Sequence, residues 1–385
     1  MPGLLTDIDP DGLLEYSVVF TDRSLNHMSQ KFQKVMRDMS SILKEVYNAR
    51  SAIVVPGSGT FGMEAVARQF ANGRKTLVIR NGWFSYRWTQ IFEMGNIPSE
   101  QAVLKAKPIL AGRQSPFAPP AIDDVVAAIR AQRPDLVFAP HVETSSGIML
   151  SDAYMRAVAD AVHEVGGLFV LDCIASGAVW VDMKAVGVDV LVSAPQKGWS
   201  GSPCCAFVML SDKARTAIDS TTSSSFAADL KKWLQIMETY EGGGHAYHAT
   251  MPTDALTRNR DVMLETRAYG LEKLRAEQLE LGRRVRALLT GKGLRSVAAE
   301  GFQAPGVVVS YTDDAGLQTG KAFLGEGLQT AAGVPLQCDE GPDFKSFRIG
   351  LFGLDKLHHI DRTVANLDKA LGHILDAAPA ARAAA

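Results

Sequence analysis

Between residues 51 and 210, short apolar, β-branched runs alternate with amphipathic stretches, and this rhythm narrows the fold more than any other feature of the chain. The runs are Ile53–Val55, Leu77–Ile79, Leu136–Ala139, Leu168–Leu171, Val190–Val192 and Ala206–Leu210. Between them lie segments such as Met63–Phe70, Ile122–Ala131 and Tyr154–Val165, whose apolar residues recur at helical spacing. Runs that are apolar throughout, without alternation, belong to strands covered on both faces. Strand and helix in alternation therefore predict an α/β domain with a mainly parallel sheet flanked by helices. The link from Val190–Val192 to Ala206–Leu210 is a polar Gly/Pro/Ser segment, too short for a parallel crossover, so that pair should be antiparallel.

The rhythm changes after residue 255. Leu264, Leu271, Leu274, Leu281, Val285 and Leu288 recur at helical spacing and predict one long helix. Strand-like Gly306–Tyr311, a helical stretch around Ala322, strand-like Ser346–Leu351 and a last helix over about 358–377 follow, which reads as a smaller α+β C-terminal domain. The expected division is 1–255 for an N-terminal segment plus the large domain, with a helix over about 28–47, and 256–378 for the small domain. Residues 379–385, in the alanine-rich end, form a frayed tail.

Composition excludes several partners. The 40 Lys and Arg against 42 Asp and Glu leave a net charge of −2 and no basic cluster, so no nucleic-acid partner is expected. Cys173, Cys204, Cys205 and Cys338 show no CxxC spacing, which argues against a zinc site and suits a reducing compartment. The first sixteen residues lack a basic-then-apolar leader, and no apolar run reaches the roughly 18 residues of a membrane span. A cytoplasmic protein is expected. His27, His245 and His248 read as hydrogen-bonded structural residues, and no HExxH spacing suggests a metal.

In open parallel sheets, ligands bind beyond the carboxyl ends of the strands. Past the first run lies Pro56-Gly57-Ser58-Gly59-Thr60, a small-residue turn opening a helix and able to cradle an anion. Past the second lies Arg80-Asn81-Gly82-Trp83-Phe84, with aromatics able to stack on a planar ligand. Past the third lies the polar stretch His141-Val142-Glu143-Thr144-Ser145-Ser146-Gly147. Asp172 ends the fourth run, and Lys197 follows the fifth, 25 residues later. Each signal is weak alone. Together they supply what pyridoxal 5'-phosphate needs: an amine for its aldehyde, a carboxylate for its ring nitrogen, an anion site for its phosphate and a flat partner for its ring.

With these residues in order, the chain resembles the class V aminotransferases of the pyridoxal-phosphate fold type I, the group of alanine–glyoxylate and serine–pyruvate aminotransferases, over roughly residues 20–375. Ser58-Gly59-Thr60 is similar to the family's SGT/SGH phosphate turn, and 81–87 to its NGxxGxR segment, with Phe84 at the stacking position. Residues 141–147 resemble HxETSTG, which gives Thr144 a cofactor contact. Asp172 to Ser176 resembles DxxxS, with Asp172 on the ring nitrogen and Ile174 under the ring. Residues 193–197 resemble SxxQK, with Lys197 bonding the cofactor and Gln196 reaching its phosphate. Tyr247 to Pro252 resembles YHxTxP, in which Tyr247 and Thr250 would complete the phosphate site of the other subunit of a homodimer. Phe347 to Gly350 resembles the RIG segment, which makes Arg348 the clamp on the substrate carboxylate. The resemblance implies transamination from a small amino acid (alanine, serine or aspartate-like) to a 2-oxo acid such as glyoxylate or pyruvate. The family's opening Gly-Pro-Gly-Pro is absent, and Leu14 to Phe20 stands in its place. The alternative on the same fold is a cysteine desulfurase or C–S lyase, for which Cys338, ten residues before Arg348, is the candidate thiol. A regulator that kept the fold without the chemistry is disfavoured, because every position the chemistry needs is filled.

Overall fold

The computed structural model describes residues 8–9 and 13–383, the last six of these as backbone alone. Helix α1 (Gln30–Tyr47) is capped by the Ser29 hydroxyl, which accepts from the Phe32 N–H, and it ends on Asn48 in the left-handed conformation. Its buried face, Phe32, Val35, Met36, Met39, Ile42 and Leu43, joins the large core of the α/β unit. The strands β1 (Ser51–Pro56), β2 (Lys75–Arg80), β3 (Glu100–Lys105), β4 (Leu136–Pro140), β5 (Leu168–Asp172), β6 (Val190–Ser193) and β7 (Cys205–Leu210) form one seven-stranded sheet in the order β1-β7-β6-β5-β4-β2-β3. Strand β7 is antiparallel to both neighbours, and every other pair is parallel. The predicted antiparallel pair is therefore present, with Val190 opposite Leu210 and Ser193 opposite Phe207.

Helices α2 (Gly59–Phe70), α3 (Trp83–Gly95), α4 (Ile122–Gln132) and α5 (Asp152–Glu164) connect the parallel strands. Strand β3 is absent from the predicted set. It is an edge strand with its residues exposed or half-buried, so it carries Glu100, Gln101 and Lys105 instead of an apolar run. Helix α6 (Leu230–Glu241) buries Trp233, Leu234 and Met237 in the same core.

The single long helix expected after residue 255 is two helices, α7 (Thr253–Tyr269) and α8 (Leu271–Gly291). Gly270, at φ 111°, breaks them, in a region of backbone space that favours glycine. The apolar spacing runs across the break, which is why periodicity alone does not show it. Helix α7 buries Leu256 and Met263 in the first core. Helix α8 buries Leu274, Leu281 and Val285 in a second core, with Phe347, Ile349 and Leu371. That second core lies against a three-stranded antiparallel sheet of β8 (Val307–Tyr311), β9 (Ala331–Ala332) and β10 (Ser346–Gly350), with β10 in the middle. The chain closes with α9 (Ile360–Ala383). Of the expected tail, residues 379–383 continue this helix, and 384–385 lie outside the described residues. Among the described residues no helix is long and apolar enough to cross a membrane.

Candidate active site

The parallel register sets Val192 of β6 beside Asp172 of β5, so both chains leave the sheet at the same level and in the same direction. Asp172 caps the end of its strand, and Lys197 sits in the turn after β6. Both line a cavity of about 140 Å³, shared with Ser58, Gly59, Thr60, Phe84, Thr144, Ile174 and Gln196. Nine of the twelve predicted site residues thus meet in one space. Packing beneath it is tight: a Cβ on Gly59 would come within 2.6 Å of the Ile174 side chain, so only glycine lets the start of α2 approach the Asp172 loop.

Asp172 is 6% exposed. One carboxylate oxygen accepts from the Ile174 N–H at 2.9 Å, and no donor among the described residues reaches the other. Burial raises its pKa to about 7, against the opposing hydrogen bond from Ile174. The Glu143 charge adds to the rise, and Arg87 and Lys197 oppose it. Burial lowers the Lys197 amine below the ordinary lysine range. Arg348 and Arg87 push in the same direction, and Asp172 pushes against them. The Lys197 Nζ stands 5.3 Å from the centre of the Phe352 ring. At the start of α2 the Ser58 side chain makes no capping bond, which leaves its hydroxyl available beside the first N–H groups of the helix.

Phe84 is held by a buried carboxylate. Glu143 accepts from the backbone N–H of Phe84 (3.1 Å) and of Ser85 (2.8 Å), and from the Ser85 hydroxyl (2.7 Å). It also accepts from the N–H and hydroxyl of Ser145 (3.1 and 2.8 Å). Three of these five donors tie the polar loop after β4 to the first turn of α3, and the two of Ser145 hold the carboxylate within its own loop.

Arg348, in the middle of β10, does not line the cavity itself. Its guanidinium lies 5.5 Å from the Phe84 ring centre, and its Nε donates to the Ala332 carbonyl at 2.8 Å. Tyr247 and Thr250 are apart from the cavity. Their hydroxyls lie 3.1 Å from each other, and Tyr247 is 53% exposed. His27 packs against Phe20, His245 and Tyr247, and His248 bonds the Phe226 carbonyl at 2.9 Å. None of the three histidines lines the cavity. Cys338 is 3% exposed, its thiol donates to the Arg80 carbonyl at 3.4 Å, and burial pushes its pKa up to about 12.

Met63, Arg87, Val142 and Ala175 also line the cavity, and Phe352 faces Lys197. Of these, Arg87 left a usable signal, since it lies one helical turn beyond Phe84. A larger cavity of about 290 Å³ opens between residues 108–117 and 311–345, and none of the predicted residues faces it.

A sequence model of the family described as Aminotransferase class-V matches residues 13–300. The chain belongs to the class V aminotransferase family. It is similar to the L-aspartate–glyoxylate aminotransferase of Paracoccus denitrificans, at 27% identity, covering 86% of this chain and 81% of that protein. It is also similar to a soluble hydrogenase small subunit of Synechococcus sp., at 27% identity over 74% of this chain and 71% of that one. Among solved structures, an aspartate aminotransferase of subgroup IV from Thermus thermophilus superposes with a TM-score of 0.74 at 24% identity, covering 91% of this chain and 94% of that one. This aminotransferase therefore has the mainly parallel α/β sheet expected from its alternating runs and the pyridoxal-phosphate fold type I that the resemblance implies.

Proposed function

We propose that this aminotransferase holds pyridoxal 5'-phosphate in the 140 Å³ cavity and passes the amino group of a small amino acid (alanine, serine or aspartate-like) to a 2-oxo acid such as glyoxylate or pyruvate. One observation carries the reading: Asp172 and Lys197 leave adjacent parallel strands into the same cavity. The residues fit the group. The buried carboxylate with an oxygen lacking a donor suits a protonated ring nitrogen. Ser58, Gly59, Thr60 and Gln196 offer donors to a phosphate, and Phe84 and Ile174 offer surfaces to a ring. When bound, the cofactor supplies a ring that takes up the electron pair left as a Cα proton departs.

The remaining work belongs to the chain's own residues. Lys197, with its amine below the ordinary range, would hold the cofactor through its aldehyde carbon, and as a free amine it would be the base that moves the proton at the substrate Cα. Asp172 keeps the ring nitrogen protonated. Thr144 contacts the cofactor, and Arg348 grips the substrate carboxylate through two parallel N–H bonds. Residues 1–255 carry the cofactor site and 256–378 carry Arg348. In a cytoplasmic homodimer, Tyr247 and Thr250 complete the phosphate site of the other subunit. Desulfurase or lyase chemistry needs a mobile thiolate, and the burial of Cys338 argues against one.

The test is a half-reaction screen. Purified holoenzyme is mixed with amino acids one at a time, and the cofactor's visible band is followed. A productive donor should abolish the band in one stoichiometric step, and glyoxylate or pyruvate should restore it. Cys338→Ser should leave this cycle nearly intact. Sulfide release from cysteine that disappears in Cys338→Ser would instead establish the lyase.

A further inference from the structure

The phosphate partners named so far, Ser58, Gly59, Thr60 and Gln196, are all neutral. A phosphate monoester carries about −1.5 to −2 charges at pH 7, and a charge taken out of water without compensation is costly. Two cations line the cavity, Lys197 and Arg87, and Lys197 is committed to the aldehyde carbon and the moving proton. We infer that Arg87 is the cation that holds the cofactor's phosphate, an assignment that rests on the pyridoxal-phosphate reading above.

The geometry is specific. Arg87 lies on the second turn of α3, and its Nη1 donates to the Thr60 hydroxyl oxygen at 2.9 Å. That bond fixes the guanidinium at the phosphate turn and leaves the Thr60 hydrogen free to point at an anion. The guanidinium carbon stands 5.1 Å from the Phe84 ring centre, so the stacking ring also braces the cation. No carboxylate among the described residues is in ion-pair contact with Arg87, although an arginine has five N–H donors and the Thr60 bond uses one. Arg348 also approaches Phe84, but it is tied to β9 through Ala332, whereas Arg87 is tied to α2 through Thr60. Two arginines about one ring thus serve two anions: Arg348 the substrate carboxylate, and Arg87 the phosphate.

The test compares two ligands that differ only in the phosphate. Protein stripped of cofactor is titrated with pyridoxal 5'-phosphate and with pyridoxal, and the bound absorbance is followed. Wild type should bind the phosphate ester far more tightly. In Arg87→Met that preference should fall by about 10- to 100-fold, the range of charge-assisted hydrogen bonds, while pyridoxal affinity stays unchanged and reports an intact fold. Arg87→Lys should recover part of the loss, since a point charge keeps attraction without the fork. An unchanged preference in Arg87→Met, with a raised KM for the amino acid, would overturn the inference and assign Arg87 to the substrate. If Arg87→Met is misfolded, Arg87→Gln takes its place, and an unchanged preference there overturns the inference in the same way. Wild-type protein that binds neither compound would defeat the cofactor reading itself, a distinguishable result.

Discussion

Asp172 pays for its position when the cofactor is stripped away. Its ordinary pKa is 3.8, and burial lifts it to about 7 in the folded chain. Between those values the folded protein holds a proton that the unfolded chain releases, so this group's contribution to stability falls as pH rises from about 4 to about 7. The slope approaches about 1.4 kcal/mol per pH unit. In urea unfolding of apoprotein across that range, Asp172→Asn should remove this part of the slope, and the holoenzyme variant should lose about a hundredfold or more in turnover. A variant with wild-type pH dependence and turnover would remove Asp172 from both roles. For Lys197, borohydride treatment of wild-type holoenzyme should add the mass of the cofactor to the protein, and Lys197→Ala should gain none. Lys197 and Asp172 were legible because each follows a recognisable strand run. Glu143 and Phe352 were not, because their partners are set by tertiary contact: Glu143 meets Ser85 across 58 positions of sequence.

Helix α3 shows how an element depends on one buried group. Its first turn presents N–H groups that no helical carbonyl can reach, and Glu143 from the loop after β4 takes two of them. Glu143→Gln sets an amide N–H₂ against N–H and hydroxyl donors. It should cost about 2–4 kcal/mol in thermal unfolding and weaken cofactor binding through Phe84. A melting temperature and cofactor affinity both equal to wild type would show that the clasp is dispensable. Most elements of the sheet were readable because β1, β2 and β4 to β7 are nearly continuous apolar runs. The exceptions have separate causes: β3 is a polar edge, and the α7–α8 break depends on one glycine's torsion within an uninterrupted apolar spacing.

At the scale of the molecule, Leu13, Leu14, Tyr16 and Val18 are exposed in a segment without regular structure, and Phe61, Phe226 and Tyr247 are exposed as well. Such side chains mark an interaction site where they form one contiguous patch. A second copy of the chain is the expected cover, and sedimentation should give a dimer at working concentration. An active monomer there would end that expectation, and with it the shared roles of Tyr247 and Thr250. The joint at Gly270 has another outcome. Asp172 ends one strand of the first core's sheet and Lys197 lies in the turn after another, while Arg348 belongs to the sheet of the second, and the two helices that meet at this glycine are anchored one in each. If Arg348 grips the substrate carboxylate as proposed, a change of angle at this joint would shift that grip relative to Asp172 and Lys197 while each half keeps its own core.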